Sequence, residues 1–425
     1  MSELPNSWVA TSIGVVAEVL AGRTPGRFEA KLEASQRGDR TVPFYKVGDM
    51  NAAPTFMDDA RVLFAKDEAA TFGITILGEG SVVFPKAGGA IATNKKRIIR
   101  TPGGIDLNCM SVTAKEWILP RFLFYFFDRL DLTSLSTGSV LPQIGKKAVE
   151  STCLSLPPLA EQQRIVEILE EQFSRLDAAL ASIRTVREKA AAFRRSLLQA
   201  AFHGALAGDS AVSIPSDWSL LSLDEVSEVR LGRQRSPRNH SGPQLRPYLR
   251  AANVTWQGLD LTDVKEMNFS DEELSVLCLK SGDILVGEAS GSPNEVGKAA
   301  VFQGEIENCC FQNTLLRVRP LSIDTRYLHY FLTGTAMSGA YARESRGVGI
   351  SHLGRAKLAS WPVPVAPAPE QQRIGEMLDE QFSRLDAALV VTNQLEARIV
   401  SERRSLLHAA FSGALTEQWR TTHNG

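Results

Sequence analysis

Glu161-Gln-Gln-Arg-Ile165 and Glu370-Gln-Gln-Arg-Ile374 are one pentapeptide written twice, at an offset of 209 residues. Outward from it the match runs on without a gap. Gln172-Phe-Ser-Arg-Leu-Asp-Ala-Ala-Leu180 equals Gln381 to Leu389, Arg194-Arg-Ser-Leu-Leu198 equals Arg403 to Leu407, and Gly204-Ala-Leu206 equals Gly413-Ala-Leu415. A match at one fixed offset over this length is an internal repeat, and a repeat constrains architecture before any single element does. Within the first copy Val166, Leu169, Phe173, Leu176, Leu180 and Ile183 step by 3 and 4, the rhythm of a helical seam. The expected seam positions are therefore Leu169, Phe173, Leu176, Leu180 and Ile183 in the first copy and Leu378, Phe382, Leu385 and Leu389 in the second. The stripe resumes at Val186, Ala190, Phe193, Leu197 and Ala200, and in the copy at Thr392, Leu395 and Ile399, which predicts one phase slip in each helix. Pro157-Pro158 and Pro367/Pro369 stand where a helix begins, and Gly204 and Gly413 where it ends. About 45 residues at 1.5 Å each make a helix on the order of 65 to 70 Å long. Its stripe needs a partner, and the nearest is the other copy. Each helix leaves its domain in the same sense, so a pseudo-twofold pair runs antiparallel.

The segments before the repeated blocks correspond more loosely. Leu4-Pro5 and Trp8 answer Ile214-Pro215 and Trp218, Gly22-Arg23 answers Gly232-Arg233, and Gly145-Lys146 answers Gly354-Arg355. Ser81-Val-Val-Phe84, Asp283-Ile-Leu-Val286 and Leu315-Leu-Arg-Val318 are short apolar runs suited to buried strands, while Pro120 to Leu130 and Tyr327 to Leu332 read as short aromatic helices. The fold class expected is α+β: two mixed α/β domains separated by two long helices packed as an antiparallel coiled coil. The boundaries are 1–156, first variable domain; 157–206, first long helix; 207–366, second variable domain; 367–416, second long helix; and 417–425, a C-terminal tail. Two halves keep one plan while their surfaces diverge.

The chain of 425 residues is 44% apolar and 22% charged, ordinary for globular domains. Glu3 precedes any basic residue and Glu18 interrupts the first apolar stretch, so no secretory signal is expected. No apolar run reaches the 18 residues or so of a membrane span. Cys109, Cys153, Cys278, Cys309 and Cys310 show no C-x-x-C spacing and fit a reducing cytoplasm. The net charge of −1 conceals segregation. From Arg230 to Leu259 there is no acid but Arg230, Arg233, Arg235, Arg238, Arg246 and Arg250; from Gly80 to Ile105 there is none but Lys86, Lys95, Lys96, Arg97 and Arg100. Both windows are candidates to face phosphates.

Catalytic motifs are missing. The only Pro-Pro, in Leu156-Pro-Pro-Leu159, lacks the Asn/Asp/Ser and aromatic flanks of a base-holding methyltransferase loop. Gly291-Ser-Pro-Asn-Glu-Val-Gly-Lys298 has five residues between its glycines instead of four, and Ala299 replaces the Ser/Thr of a P-loop. No Pro-Asp pair opens a nuclease core, the six histidines never take the i, i+4 zinc spacing, and no Gly-x-Ser-x-Gly elbow occurs.

Two variable domains, each followed by a long helix that opens Glu-Gln-Gln-Arg-Ile and closes near Gly-Ala-Leu, resemble the specificity subunits of type I restriction-modification systems. The resemblance rests on Leu4-Pro-Asn-Ser-Trp8, Leu156-Pro-Pro-Leu-Ala-Glu-Gln-Gln-Arg-Ile165, Gly282-Asp-Ile-Leu285 and Pro369-Glu-Gln-Gln-Arg-Ile374, and it spans nearly the whole chain. Asn253 where the first half has Asp49, and Ser81 where the second has Asp283, are departures between the halves. The resemblance implies a non-catalytic, cytoplasmic subunit whose two target recognition domains read the halves of a bipartite sequence in double-stranded DNA. It implies docking of two modification (methyltransferase) subunits, which use S-adenosylmethionine, and of restriction subunits, which use ATP and magnesium; none of these cofactors, and no metal, belongs to this chain. The DNA-binding candidates are Lys86, Lys95, Lys96, Arg97, Gln143 and Lys146 in the first domain and Arg233, Arg235, Arg250, His352 and Arg355 in the second, chosen as side chains able to reach phosphates or base edges. A coiled-coil scaffold without DNA, and an orphan specificity subunit without active partners, are the alternatives.

Overall fold

Val82–Pro85 and Asp283–Gly287 are strands buried along their whole length. Their side chains alternate between two cores, as the period of a strand requires. Val82 and Phe84 join the cluster that includes the long-helix residues Leu169 and Phe173, while Val83 packs with Tyr45, Met57 and Ile99. In the second half Ile284 and Val286 face the cluster of Leu378 and Phe382, and Leu285 faces Leu249, Phe302 and Phe311. A strand covered on both sides reads in sequence as a continuous apolar run.

The computed structural model describes residues 5–26, 28, 40–138, 140–202, 214–236, 241–290, 295–344 and 351–423. Gly204-Ala-Leu206 and the expected boundary at 206 lie outside them, as do residues 291–294 of the glycine-rich stretch. The chain divides into two units, Met1–Ser182 with Gln394–Gly425, and Ile183–Asn393. In the first unit one sheet runs in the order Ala17–Ala21, Cys109–Ala114, Val82–Pro85, Arg97–Ile99, Phe56–Met57, and a second runs Val62–Phe64, Val42–Tyr45, Gly104–Ile105. Val9–Ser12 pairs antiparallel with Cys153–Leu156. The second unit repeats the plan: Ser227–Leu231, Leu315–Pro320, Asp283–Gly287, Ala299–Phe302 in one sheet, Lys265–Asn268, Leu245–Leu249, Cys310–Phe311 in another, and Ser219–Ser222 against Pro362–Val365. Gly22 and Gly232 occupy the same corner of this plan. A Cβ there would lie 1.9 Å from the Asp106 carbonyl oxygen or 2.3 Å from that of Gln312, so the backbone approach excludes every other residue.

The two departures between the halves are explained by their partners. Asp283, buried, accepts two hydrogen bonds from the Arg319 guanidinium at 2.6 and 2.7 Å; Ser81 instead shares a 2.9 Å hydrogen bond with Thr113. Asp49 accepts from the Lys46 N–H at 2.8 Å, and Asn253 accepts from the Arg250 N–H at 3.1 Å, so either side chain closes the same turn. Breaking a buried ion pair on one side costs about 3 kcal/mol, because the partner charge is left unpaired. Asp283→Ser alone should cost about that much in urea unfolding of the full chain, and adding Arg319→Thr should restore at least half of it. A double variant whose loss equals the sum of the single losses would refute the exchange.

The long helices are Leu159–Ala201 and Ala368–Ser412. The repeated Glu-Gln-Gln-Arg motif docks each of them onto its domain. Gln162, fully buried, accepts from the Leu119 N–H at 2.8 Å and donates to the Trp117 and Pro157 carbonyls; Gln371 accepts from the Asp324 N–H at 2.8 Å and donates to the Ala366 carbonyl at 2.7 Å. These amides satisfy the first backbone group of the aromatic helices Pro120–Arg129 and Thr325–Met337. Phe122 to Phe127 are buried in succession because this helix lies between the sheet, where Phe127 stacks on Phe84 at 5.4 Å, and the long helices, where Phe122 meets Phe411 at 5.0 Å and Tyr125 meets Phe173 at 5.6 Å. Tyr327 on Phe202 and Tyr330 on Phe382 repeat the arrangement at 5.1 and 5.4 Å. The segment after 416, expected as a tail, is the helix Glu417–His423. Its Arg420 donates to the buried Glu161 carboxylate at 2.6 Å, which also accepts from Thr416 at 2.6 Å and the Trp8 indole at 3.0 Å.

Within each unit the helical segments run antiparallel. In the second unit Arg187 meets Asn393 and Arg194 meets Asp386, so the numbering rises on one helix as it falls on the other. In the first unit Leu407 and Ala410 pack in the cluster of Leu169 and Phe173. Leu169, Phe173 and Ile183 are buried and Leu176 and Leu180 half-buried; in the copy Leu378 and Phe382 are buried and Leu385 and Leu389 half-buried. The expected phase slip is absent. Beyond Ile183 the inward positions are Arg187, Ala190, Arg194, Leu197 and Ala201, and in the copy Thr392, Glu396, Ile399, Arg403, Leu406 and Ala410, an unbroken 4, 3 rhythm. Val186 and Phe193 are 46% and 49% exposed, and Leu395 is 43%. Arginine causes the misreading: its stem covers apolar surface while its head finds a partner. Arg194 lies over the Phe382 ring at 4.6 Å and pairs with Asp386 at 2.6 Å; Arg403 lies over Phe173 at 4.1 Å and pairs with Asp177 at 3.3 Å. Ala190→Asp should therefore destabilise the full chain by several kcal/mol in urea unfolding, and Phe193→Asp by less than about 0.5 kcal/mol. The reverse order would restore the slip.

Candidate nucleic-acid interface

Lys86 follows directly on the central strand Val82–Pro85 of the first unit. There the chain meets a small hairpin, Ser136–Thr137 against Gln143–Ile144. Ala87 bridges to Gln143, the Ile144 N–H donates to the Lys86 carbonyl at 2.9 Å, and the Gly88 N–H donates to the Pro142 carbonyl at 2.9 Å. Ile144 is buried and anchors the hairpin, which leaves Gln143 exposed on the other face. The next turn begins the helix Lys146–Glu150, whose exposed Lys146 lies 3.5 Å from Glu150. Lys86, Gln143 and Lys146 thus share one edge.

The second unit places different residues on the same edge. Ala289 pairs with His352 as Ala87 pairs with Gln143, and Arg355 opens the helix Arg355–Ala359 where Lys146 opens its own. His352 and Arg355 are exposed. Beside them burial raises the Glu288 carboxyl above its ordinary range, against the pull of His352. The Leu353 N–H donates to the Glu288 carbonyl at 2.7 Å and fixes this register.

The acid-free windows of the sequence are not acid-free in space. Arg230 pairs with Glu228 at 2.8 Å, Arg233 with Glu273 at 3.0 Å, Arg246 with Asp271 at 3.3 Å and Arg250 with Asp263 at 2.5 Å, each acid coming from outside the window. Arg233 also donates to the Asn268 carbonyl and lies over Phe269 at 5.1 Å. Arg235 is exposed, and Arg238 lies outside the described residues. In the first window Arg100 pairs with Asp58 at 3.3 Å, Lys95 binds the Asn51 side-chain oxygen, and Arg97 donates to the Ala53 carbonyl at 2.5 Å and the Lys96 carbonyl at 2.8 Å. Lys95 and Arg97 therefore sit beside residues 51–53.

Lys96 is a correction to the sequence reading. It is 3% exposed, and its ammonium donates to the Leu130 carbonyl at 2.6 Å, so it does not face solvent. Burial pushes it down to about 8, with Asp128 and Asp131 pulling the other way. A lysine lowered in this way penalises the fold below that pH, and the penalty fades as pH rises toward the unfolded value of about 10.4. Lys96→Met should then stabilise the full chain by about 2 kcal/mol at pH 7, after loss of one hydrogen bond, and by under about 1 kcal/mol at pH 10. Equal gains at both pH values in urea unfolding would contradict this account.

Among the described residues no group of three or more His, Cys, Asp or Glu could hold a metal ion, and no helix is long and apolar enough to cross a membrane. What the edge offers is amide, imidazole and cationic donors on a rigid backbone, the chemistry of groove edges and phosphates.

Comparison with known proteins identifies the family. The family model described as the type I restriction modification DNA specificity domain matches twice, over residues 5–183 and 215–397. The specificity subunit of the type I restriction enzyme EcoKI of Escherichia coli (strain K12) is 25% identical over 98% of this chain and 91% of its own length. That of StySPI from Salmonella potsdam is 22% identical over 98% and 91%. Among solved structures, a chain from a study of complex assembly and conformational transition of the type I R-M system covers 98% of this chain and 100% of its own, with a TM-score of 0.74 at 18% identity. The HsdS subunit from Thermoanaerobacter tengcongensis covers 97% and 98%, with a TM-score of 0.53 at 19% identity. With two specificity domains on one internally repeated α+β fold, the chain belongs to the family of type I restriction-modification DNA specificity subunits.

Proposed function

We propose that this subunit reads a bipartite sequence in double-stranded DNA, one half with each unit, through the edge that carries Gln143 and Lys146 in one and His352 and Arg355 in the other. The observation that supports the reading most is the pairing of Ala87 with Gln143 and of Ala289 with His352: one backbone arrangement presents two different sets of donors. A reader of two unlike half-sites needs that combination, because base edges are told apart by donor and acceptor patterns while the frame stays fixed. Lys86, Lys95 and Arg97 in the first unit and Arg235 in the second add phosphate contacts; Arg233 and Arg250, already paired with acids, position loops. The target recognition domains are residues 1–156 and 207–366, and residues 157–206 and 367–416 are the spacer that sets the unread gap.

The chain itself supplies no catalytic group in this reading. Two modification subunits dock on it and methylate adenines with S-adenosylmethionine, and restriction subunits join with ATP and magnesium, all in the cytoplasm. The test is a domain exchange read by mapping N6-methyladenine in cells that carry the subunit with its modification partner. Replacing residues 217 to 360 with the corresponding domain of another such subunit should rewrite one half-site and leave the other half-site and the gap unchanged. If both half-sites change together, the units do not read independently and the proposal fails.

A further inference from the structure

Val140 and Leu141 are 90% and 72% exposed, the highest values among the large apolar residues of the described chain. They form the tip of the hairpin that carries Gln143. The tip is held on both sides. Gly138 turns the chain at φ +90°, where a Cβ would approach the Leu141 carbonyl oxygen to 3.1 Å, and Pro142 is fixed by the Gly88 N–H at 2.9 Å. From Leu141 to Ile144 the residues alternate exposed, half-buried, exposed, buried, so Leu141 and Gln143 point out on one side. Lys86 lies at the base of the same hairpin, its carbonyl held by the Ile144 N–H at 2.9 Å, and exposed Lys146, paired to Glu150, opens the helix that follows it.

Two bare aliphatic side chains on a hairpin flanked by Lys86 and Lys146 match a partner with an anionic rim and an apolar floor. The DNA major groove has that profile, with phosphates along its walls and the 5-methyl groups of thymine within it. We propose that Val140 and Leu141 enter the major groove and pack on a thymine 5-methyl group beside the base pair that Gln143 reads. The glutamine amide suits the N6/N7 edge of adenine, so the tip and the amide together select an A·T-containing step. The inference rests on the DNA reading of the first unit and adds to it the residues and the base feature they recognise.

The experiment uses the subunit assembled with its modification subunits and a duplex of about 30 base pairs carrying the methylome-mapped target. Each thymine of the first half-site, on either strand, is replaced in turn by deoxyuridine, which lacks only the methyl group. The wild-type complex should lose about three- to fivefold in affinity at one position, the scale of a buried methyl. The Val140→Ser/Leu141→Ser variant should bind the unmodified duplex about five- to tenfold more weakly and show no further loss with deoxyuridine. Its thermal unfolding should match wild type, since both residues are exposed. Unchanged affinity and unchanged deoxyuridine sensitivity in the variant would overturn the proposal, as would a first half-site without thymine. A folded variant that no longer assembles with the modification subunits would assign the tip to a protein contact instead. Mapping alone decides the broader reading: no sequence-specific methylation in wild type removes that reading and this inference together, whereas a mapped target with an indifferent tip removes the inference alone.

Discussion

A helix of more than forty residues with one apolar stripe has no stability of its own in water, and the stripe must be covered along its whole length. Everything else in this protein follows from how that is met. The opening turns of each long helix are covered by the domain that precedes it, through Gln162 and Leu169 in one unit and Gln371 and Leu378 in the other. The closing turns, at Phe411 and at Phe202, fill the aromatic layer of the unit that receives them. Each unit therefore needs a segment of both helices to complete its core. The two domains fold as variations on one plan because both must fit the same seam.

Inside that shared seam the polar positions are set in matched groups. Arg194 with Phe382 and Asp386, and Arg403 with Phe173 and Asp177, are the same three side chains taken from opposite copies. Away from the seam the groups change as sets: Asp283 with Arg319 in one unit becomes Ser81 with Thr113 in the other. A buried acceptor cannot change without its donor. The halves therefore differ by exchanged interactions in the sheets and by different side chains on the edge, where Gln143 and His352 are exposed.

The sequence made the repeat, the long helices and the buried strands legible, since each is written as periodicity. It misplaced what depends on neighbours distant in the chain. The phase slip was inferred from Val186 and Phe193, because an arginine at a seam position reads as polar until its ring and acid partners are known. The basic windows are acid-free in sequence alone for the same reason: Glu273 and Asp271 reach Arg233 and Arg246 from the helix Asp271–Leu277, and Asp263 reaches Arg250 from a turn. Lys96 sits between two cations in sequence and under Leu130 in the fold. The exposed tip at Val140-Leu141 carries no sequence signal at all, as two aliphatic residues before a proline are ordinarily core.

The central claim is that equivalent edges of the two units meet the two halves of one DNA target. Its most direct test is site-specific photo-cross-linking of the assembled complex on its mapped duplex, with a benzophenone side chain placed at Gln143 or at His352. The account predicts that each probe cross-links within one half-site only, and that the two probes mark opposite halves. Cross-links from both probes to the same half-site, or from neither while a probe at Arg250 does cross-link, would contradict it.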